Sequence, residues 1–422
     1  MTKNFRNITE ETGFFKDNAP MELVREFGSP LYVYNEDILR ERCREMANLV
    51  RYPRFRPSYS AKANANIRLL EIIRQEGLEA DAMSPCEIMA ELIAGFEPQE
   101  IFYISNNVDE AEMRFAVEKG VRVSVDSLSQ LELYGRINPG SEVAVRLNSG
   151  VGAGHHSNVI TGGAGTKFGV NLDYLPAIKD ILNKYNLRLT GINSHIGSLF
   201  MNPEPYLDNV SAMMKFAENF EDLAFVDFGG GFGVPYGKRS GEQRMDIVSL
   251  SEALTKLTYD FTNRFGDIII KTEPGRYIAA ECGVLLGTVN AVKHNGPEKY
   301  IGTDIGFNVF SRPLLYNCRH DIEIYGPDGP KDEHLETVTV VGNICETGDV
   351  LARGIQLPAA REGDTVCVLD AGAYGYSMSS NYNLRPRPAE VLIRAGGEPL
   401  LIKPRESIED MLSYAGLSGA YV

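Results

Sequence analysis

Between about residue 36 and residue 280 the chain alternates short β-branched runs with amphipathic stretches, and few folds accept that rhythm. The predicted strands are Pro57–Ala61, Leu78–Met83, Ile101–Ser105, Val121–Val125, Val143–Leu147, Leu189–Ser194, Ala224–Phe228 and Ile268–Thr272. The first five recur about every 22 residues, the length of one strand, one helix and two short loops. Helical periods fill intervals between them, as at Ile67–Gln75, Cys86–Ala94, Glu110–Lys119, Leu175–Tyr185 and Leu250–Phe265, and a further helix, Glu36–Leu49, precedes the first strand. Parallel strands need such crossovers, and eight βα units close on themselves. The expected fold is therefore α/β, a (β/α)8 TIM-like barrel over residues 36–282.

From about Gly283 the rhythm changes to strand-like runs (VLLGTVNAV, ETVTVVG, DTVCVLDAG, AEVLIRA) with almost no helical period. This predicts a second, all-β domain over residues 283–422. The strand-like LYVYN at 31–35 precedes the barrel, so residues 1–35 are expected to join that β-domain.

Composition excludes several classes of function. A formal net charge of -15 provides no basic footprint for nucleic acid or an anionic membrane. No apolar run approaches a membrane span, and the opening MTKNFRNITEETGFF lacks the apolar core of a signal peptide, so a cytoplasmic location is expected. Cys43, Cys86, Cys282, Cys318, Cys345 and Cys367 contain no C-x-x-C pair, which points to free thiols and to no metal site.

In a parallel barrel the chemistry sits just after the strands. That rim carries Lys62, Asp81, Ser84, Asn106, Asp126, Arg146, Asn148, Ser194, His195, Gly229–Gly231, Glu273 and Arg276. A partly desolvated Lys62 amine can form an imine with an aldehyde cofactor, although a lysine at a strand end is more commonly a surface residue. The glycines of VDFGGGFG follow the seventh strand, where barrels commonly hold a phosphate. Glu273 of TEPGR can accept a proton from a pyridine nitrogen, and Arg276 can bind phosphate or carboxylate; alone, the two read equally well as an ion pair. His195 of NSHIGS can stack on a flat cofactor, and Ser198 can add a bond to its phosphate. His155 and His156, in the Gly-rich stretch between the fifth and sixth strands, receive no role. The convergence of lysine, carboxylate, histidine and glycine on one rim points to pyridoxal 5'-phosphate.

At these residues the chain resembles the fold type III pyridoxal-phosphate decarboxylases, a barrel-plus-β-domain group whose substrates include ornithine, arginine and diaminopimelate. The resemblance runs from FGSPLYVYN (27–35) through YSAKAN, HIGS, GGGFG, EPGR, FSRPLLY (310–316) and CETGD (345–349) to DAGAYGYSMSSNYN (370–383). It implies that Lys62 carries the cofactor, that His195 stacks on its ring and that Glu273 meets its nitrogen. Ser198, Gly230, Gly231, Gly275, Arg276 and Tyr374 would hold the phosphate end. Arg276, Arg312, Tyr316, Glu346 and Tyr374 would bind an amino acid substrate. Cys345 would be the proton donor, reaching the site from the other subunit of a head-to-tail homodimer. Ser149 and Leu199 stand where the group usually has proline and glutamine.

Charge selects among the substrates. Diaminopimelate carries an ammonium and a carboxylate at its far end, suited to Glu346 and to Arg312 with Tyr316, whereas ornithine or lysine presents only an ammonium there. The expected reaction is decarboxylation of meso-2,6-diaminopimelate to L-lysine and CO2, the last step of lysine biosynthesis. The alternatives are a decarboxylase of another diamino acid (ornithine, arginine, lysine or a carboxylated polyamine) and a non-catalytic binding homologue of the same fold.

Overall fold

The structure, a computed structural model, describes residues 7–414 apart from 105, 153, 155–160, 164 and 333. It opens with α1 (Ile8–Glu11), α2 (Pro20–Phe27), β1 (Leu31–Asn35) and α3 (Glu36–Ala47). The chain forms two compact units.

One unit, Arg40–Val234 with Arg244–Ile278, contains a closed barrel. Its strands are β2 (Phe55–Ser60), β3 (Glu79–Ala82), β4 (Ile101–Ile104), β5 (Arg122–Val125), β6 (Glu142–Arg146), β7 (Arg188–Asn193), β8 (Phe225–Asp227) and β9 (Ile269–Thr272). Each pairs in parallel with the next, and β9 closes on β2 through Phe55 opposite Ile270. All eight predicted strands are present, with ends displaced by at most two residues.

The crossovers are α4 (Ile67–Gln75), α5 (Pro85–Ile93), α6 (Glu110–Lys119), α7 (Leu128–Ile137), α8 (Leu175–Tyr185), α9 (Glu204–Ala217) and α10 (Ile247–Phe265), followed by the short α11 (Arg276–Ala279). The side chains of Asn66, Ser84, Asp109, Ser127 and Asp246 cap α4, α5, α6, α7 and α10 by accepting otherwise unpaired backbone N–H groups. Each cap fixes where a strand-end loop stops, and so sets the reach of the side chains on that loop. Phe102, Ile104, Ala144 and Phe225 pack together as a buried cluster, with Phe102 and Phe225 edge to face at 5.2 Å. Phe225 lies against Gly191, where a β-carbon would come within 2.1 Å of the ring.

The other unit comprises Met1–Leu39, Pro235–Gln243 and Ala279–Val422. It contains β10 (Gly283–Asn295), β11 (Glu298–Thr303), α12 (Arg312–Tyr316), β12 (Ile322–Gly326), β13 (Gly329–Pro330), β14 (Leu335–Val341), β15 (Val350–Pro358), β16 (Thr365–Val368), β17 (Ala389–Ile393), β18 (Pro399–Lys403) and α13 (Ile408–Tyr414). The sheet runs β13-β12-β16-β10-β1-β17-β18, and β10 continues into β11, β14 and β15. The LYVYN strand lies inside it, antiparallel to β10 and parallel to β17.

The second, sheet-bearing unit expected after the barrel is present; α1, α2, α12 and α13 also lie in it, and Leu23 of α2 joins Phe14, Phe15, Leu31, Val33 and Val391 in its core. The single turns of α1 and α12 are too short for a 3.6-residue period to register. Residues 235–243, inside the stretch assigned to the barrel by sequence, also belong here. Arg239 pairs with the buried Glu323 at 2.9 Å, and Lys238 lies 2.6 Å from the buried Asp370.

Candidate active site

β2 ends at Ser60, and a single 3-10 turn, Ala61–Ala63, carries Lys62 past the strand end. Ser60 lies opposite Asp81 of β3, and its hydroxyl donates to Asp81 Oδ2 at 2.6 Å. His195 follows β7, Gly229–Gly231 follow β8 and Glu273 follows β9, so adjacent strands deliver these groups together. The Gly230 N–H donates to His195 Nδ1 at 3.2 Å, and the same nitrogen lies 3.4 Å from Glu273 Oε2.

The electrostatics of this cluster follow from burial. Desolvation raises the Glu273 carboxyl, opposed by Lys62, Arg146 and Lys271. Desolvation, then the Glu273 charge, holds Asp81 well above the carboxylate range, and Lys62 opposes both. Burial, followed by Lys62 and Arg146, pushes His195 well below the usual imidazole value, so its ring is neutral. Glu273 is 3% exposed, and among the described residues its Oε1 has no hydrogen-bond partner. A buried carboxylate oxygen in that state calls for a donor from a ligand.

The neighbouring turn is shaped for an anion. Gly229 and Gly231 have φ of +72° and +107°, and a β-carbon on Gly230 would lie 1.8 Å from the Glu273 carbonyl oxygen. The Gly229 N–H donates to Asp227 Oδ1 at 2.9 Å, and the Tyr206 hydroxyl donates to the Gly229 carbonyl at 3.0 Å, fixing the loop from below. Arg276 donates to Ser198 Oγ from Nη2 at 2.9 Å and from Nε at 3.3 Å. Gly275 approaches Ser60, where a β-carbon would come within 2.9 Å of the Ser60 Cβ. The Gly229 and Gly230 amides donate within the protein, so the donors this rim offers an anion are the Gly231 amide, the Ser198 hydroxyl and the Arg276 guanidinium. Within the barrel unit, then, Lys62, His195, Ser198, Gly230, Gly231, Glu273, Gly275 and Arg276 all lie on strand-end segments.

The remaining predicted residues belong to the other unit. Arg312, on the first turn of α12, is 0% exposed. Its Nε donates to His320 Nε2 at 3.1 Å, its guanidinium lies 4.8 Å from the centre of the Tyr236 ring, and among the described residues its two terminal nitrogens have no partner. Cys345 is exposed, with its sulfur 3.4 Å from Asn383 Oδ1, and the exposed Glu346 accepts a hydrogen bond from the Tyr382 hydroxyl. Tyr316 is half-buried, and Tyr374 adopts φ +56°, a conformation uncommon outside glycine. His155 and His156 lie outside the described residues.

Sequence reasoning missed Asp227 and Tyr206 beneath the glycine turn, and Tyr236 and His320 around Arg312. Asp227 could have been found from its place two residues before Gly229. Nothing in the sequence connects Tyr236 to Arg312.

The family described as pyridoxal-dependent decarboxylase, pyridoxal binding domain, matches residues 36–280. The chain is 41% identical to a diaminopimelate decarboxylase of Methanothermobacter thermautotrophicus over 93% of this chain and 92% of that one. It is 35% identical to the diaminopimelate decarboxylase of Escherichia coli K12, over 93% and 95%. Among solved structures it is similar to a diaminopimelate decarboxylase at 32% identity and a TM-score of 0.88, covering 96% of this chain and 99% of that one. It is also similar to the Helicobacter pylori enzyme of that description, complexed with L-lysine, at 28% identity and a TM-score of 0.84, covering 94% and 99%.

Proposed function

The chain belongs to the pyridoxal-dependent decarboxylases, among the diaminopimelate decarboxylases, and we propose the following roles for its residues in removing CO2 from meso-2,6-diaminopimelate and releasing L-lysine. Its cofactor is pyridoxal phosphate. The barrel unit fits that group in two respects: the buried Glu273 Oε1, without a hydrogen-bond partner among the described residues, suits a protonated ring nitrogen, and the Gly229–Gly231 turn beside Ser198 and Arg276 suits a phosphate. When bound, pyridoxal phosphate supplies an aldehyde that captures amines and a ring that takes up the electron pair released as a carboxyl group leaves.

The chain's own residues do the rest. Lys62 would hold the cofactor at its aldehyde end through its amine. Glu273 would accept a hydrogen bond from the ring N–H and favour the protonated nitrogen. His195, neutral and held by the Gly230 N–H, would stack on the ring without adding charge. Gly230, Gly231, Gly275, Ser198, Arg276 and Tyr374 secure the phosphate, and Arg276 and Tyr374 also reach the substrate. Arg312 and Tyr316 take the distal carboxylate and Glu346 the distal ammonium. Cys345 returns a proton to the carbon that has lost its carboxyl group.

The reading of the substrate rests on Arg312. A buried guanidinium whose two terminal nitrogens have no partner among the described residues is costly unless a carboxylate arrives to pair with it. Ornithine, arginine and lysine have no carboxylate at the distal end. With added pyridoxal phosphate the protein should release CO2 from meso-diaminopimelate and at most about 1% as fast from those three, and Arg312→Met should lower kcat/KM by about 100-fold. Comparable turnover of ornithine or lysine, or full activity of the variant, would remove the distal-carboxylate reading.

The exposed Cys345 and Glu346, beside the exposed Leu314, Leu315, Tyr382 and Leu384, support a homodimer in which each chain lends Cys345 and Glu346 to the other. No helix of the described residues is long and apolar enough to cross a membrane. We place the enzyme in the cytoplasm, with no nucleic-acid partner, in keeping with its net charge of -15.

A further inference from the structure

A guanidinium holds its five N–H groups in one plane, so fixing one of them directs the others. Arg312 Nε donates to His320 Nε2 at 3.1 Å, leaving the two terminal nitrogens to point elsewhere, without a partner among the described residues. The other ring nitrogen of His320, Nδ1, lies 2.8 Å from the Leu369 carbonyl oxygen. A carbonyl oxygen only accepts, so Nδ1 carries the ring proton. An arginine Nε–H only donates, so Nε2 carries the lone pair. The two neighbours together allow one state, the neutral Nδ1–H tautomer. The ring itself is clamped by Phe310, edge-on at 4.8 Å, and by Tyr236 at 4.5 Å, the same tyrosine that lies against Arg312.

We propose that His320 is a positioning residue for substrate recognition: as a neutral acceptor held by Leu369, Phe310 and Tyr236, it aims the terminal nitrogens of Arg312 at the substrate's distal carboxylate. The proposal rests on the assignment of that carboxylate to Arg312 and adds what orients the guanidinium. A histidine that merely fills space would tolerate any side chain of similar volume. A histidine that orients Arg312 requires an acceptor at the Nε2 position.

Binding to the pyridoxal-phosphate holoenzyme, followed by calorimetry, separates the two. L-lysine keeps the distal carboxylate, and 1,5-diaminopentane is the same diamine without it. His320→Phe should weaken L-lysine by about 10- to 100-fold and leave 1,5-diaminopentane within about twofold of the parent. His320→Gln, whose Oε1 can stand where Nε2 stood, should hold L-lysine within about fivefold. A parent-like preference in His320→Phe, or an equal loss in both variants, would overturn the proposal. Nitrogen-15 NMR of the unaltered holoenzyme tests the tautomer without any variant, and an imidazolium or an Nε2–H ring would also overturn it. The calorimetry of Arg312→Met distinguishes the two readings: an unchanged preference for L-lysine there would refute the Arg312 assignment itself.

Discussion

Glu91 offers a stability test that does not depend on the chemistry. It lies on α5 at 0% exposure, and among the described residues neither carboxylate oxygen has a hydrogen-bond partner. Burial pushes its carboxyl well above the ordinary value, and the charges of Asp81 and Glu87 push it further. In the unfolded chain Glu91 ionises near about 4.3, while the folded chain keeps its proton to higher pH. Its contribution to stability is therefore complete below the unfolded value and is lost as pH rises toward the folded one, at about 1.4 kcal/mol per pH unit. Methionine has a similar length, favours helix and buries no polar group. Glu91→Met should thus be more stable than the parent near pH 8 by about 1–3 kcal/mol, the cost of a buried polar group without a partner, raising the melting midpoint by several degrees, and the gain should shrink as pH falls. Calorimetric melts at several pH values measure it. A difference that does not widen with pH, or a variant that melts below the parent near pH 8, would refute the reasoning.

Gly230→Ala should cut pyridoxal phosphate affinity by about 100-fold without unfolding the protein, because the new methyl would meet the Glu273 carbonyl at 1.8 Å and the turn must shift. A visible-absorbance titration against the melting curve checks this, and parent-like affinity would refute the cradle. Lys62→Ala and Cys345→Ala subunits, each inactive alone, should recover about a quarter of the sites when mixed and exchanged at random. Half of the dimers would be mixed, and each would hold one intact site. No recovery despite demonstrated exchange would place both residues in the same site of one chain.

The barrel was readable because each of its strands obeys a local rule. Strand-length runs recur at regular spacing, and the connections between them are long enough for a helical period to register. The details that sequence did not reveal fall where local rules are silent. α1 and α12 are each about one turn long, and residues 235–243 join the sheet-bearing unit through ion pairs with partners distant in sequence, such as Arg239 with Glu323 and Lys238 with Asp370. Such pairings have no sequence period. The same limit applies to the site: strand-end positions such as Lys62, His195 and Glu273 are legible from the barrel alone, whereas Cys345 and Glu346 were reached only through the family resemblance.

The division has a physical basis. A residue that contacts a cofactor from a strand end inherits its position from the barrel, so its role can be read from residue type and place. A residue that discriminates between substrates needs its direction controlled to within a hydrogen bond, and direction comes from neighbours. Arg312 shows the difference. Its charge is visible in SRPLLY, but nothing in those six residues distinguishes a surface cation from a buried, aimed one. That distinction depends on a histidine eight positions on, on the Leu369 carbonyl from beyond β16, and on Tyr236 from the segment sequence had assigned to the barrel. Substitutions that alter which diamino acid is accepted should therefore concentrate at the neighbours of Arg312 and Glu346 as much as at those residues, because turning a guanidinium by a few tenths of an ångström breaks a bidentate pair without removing any charge.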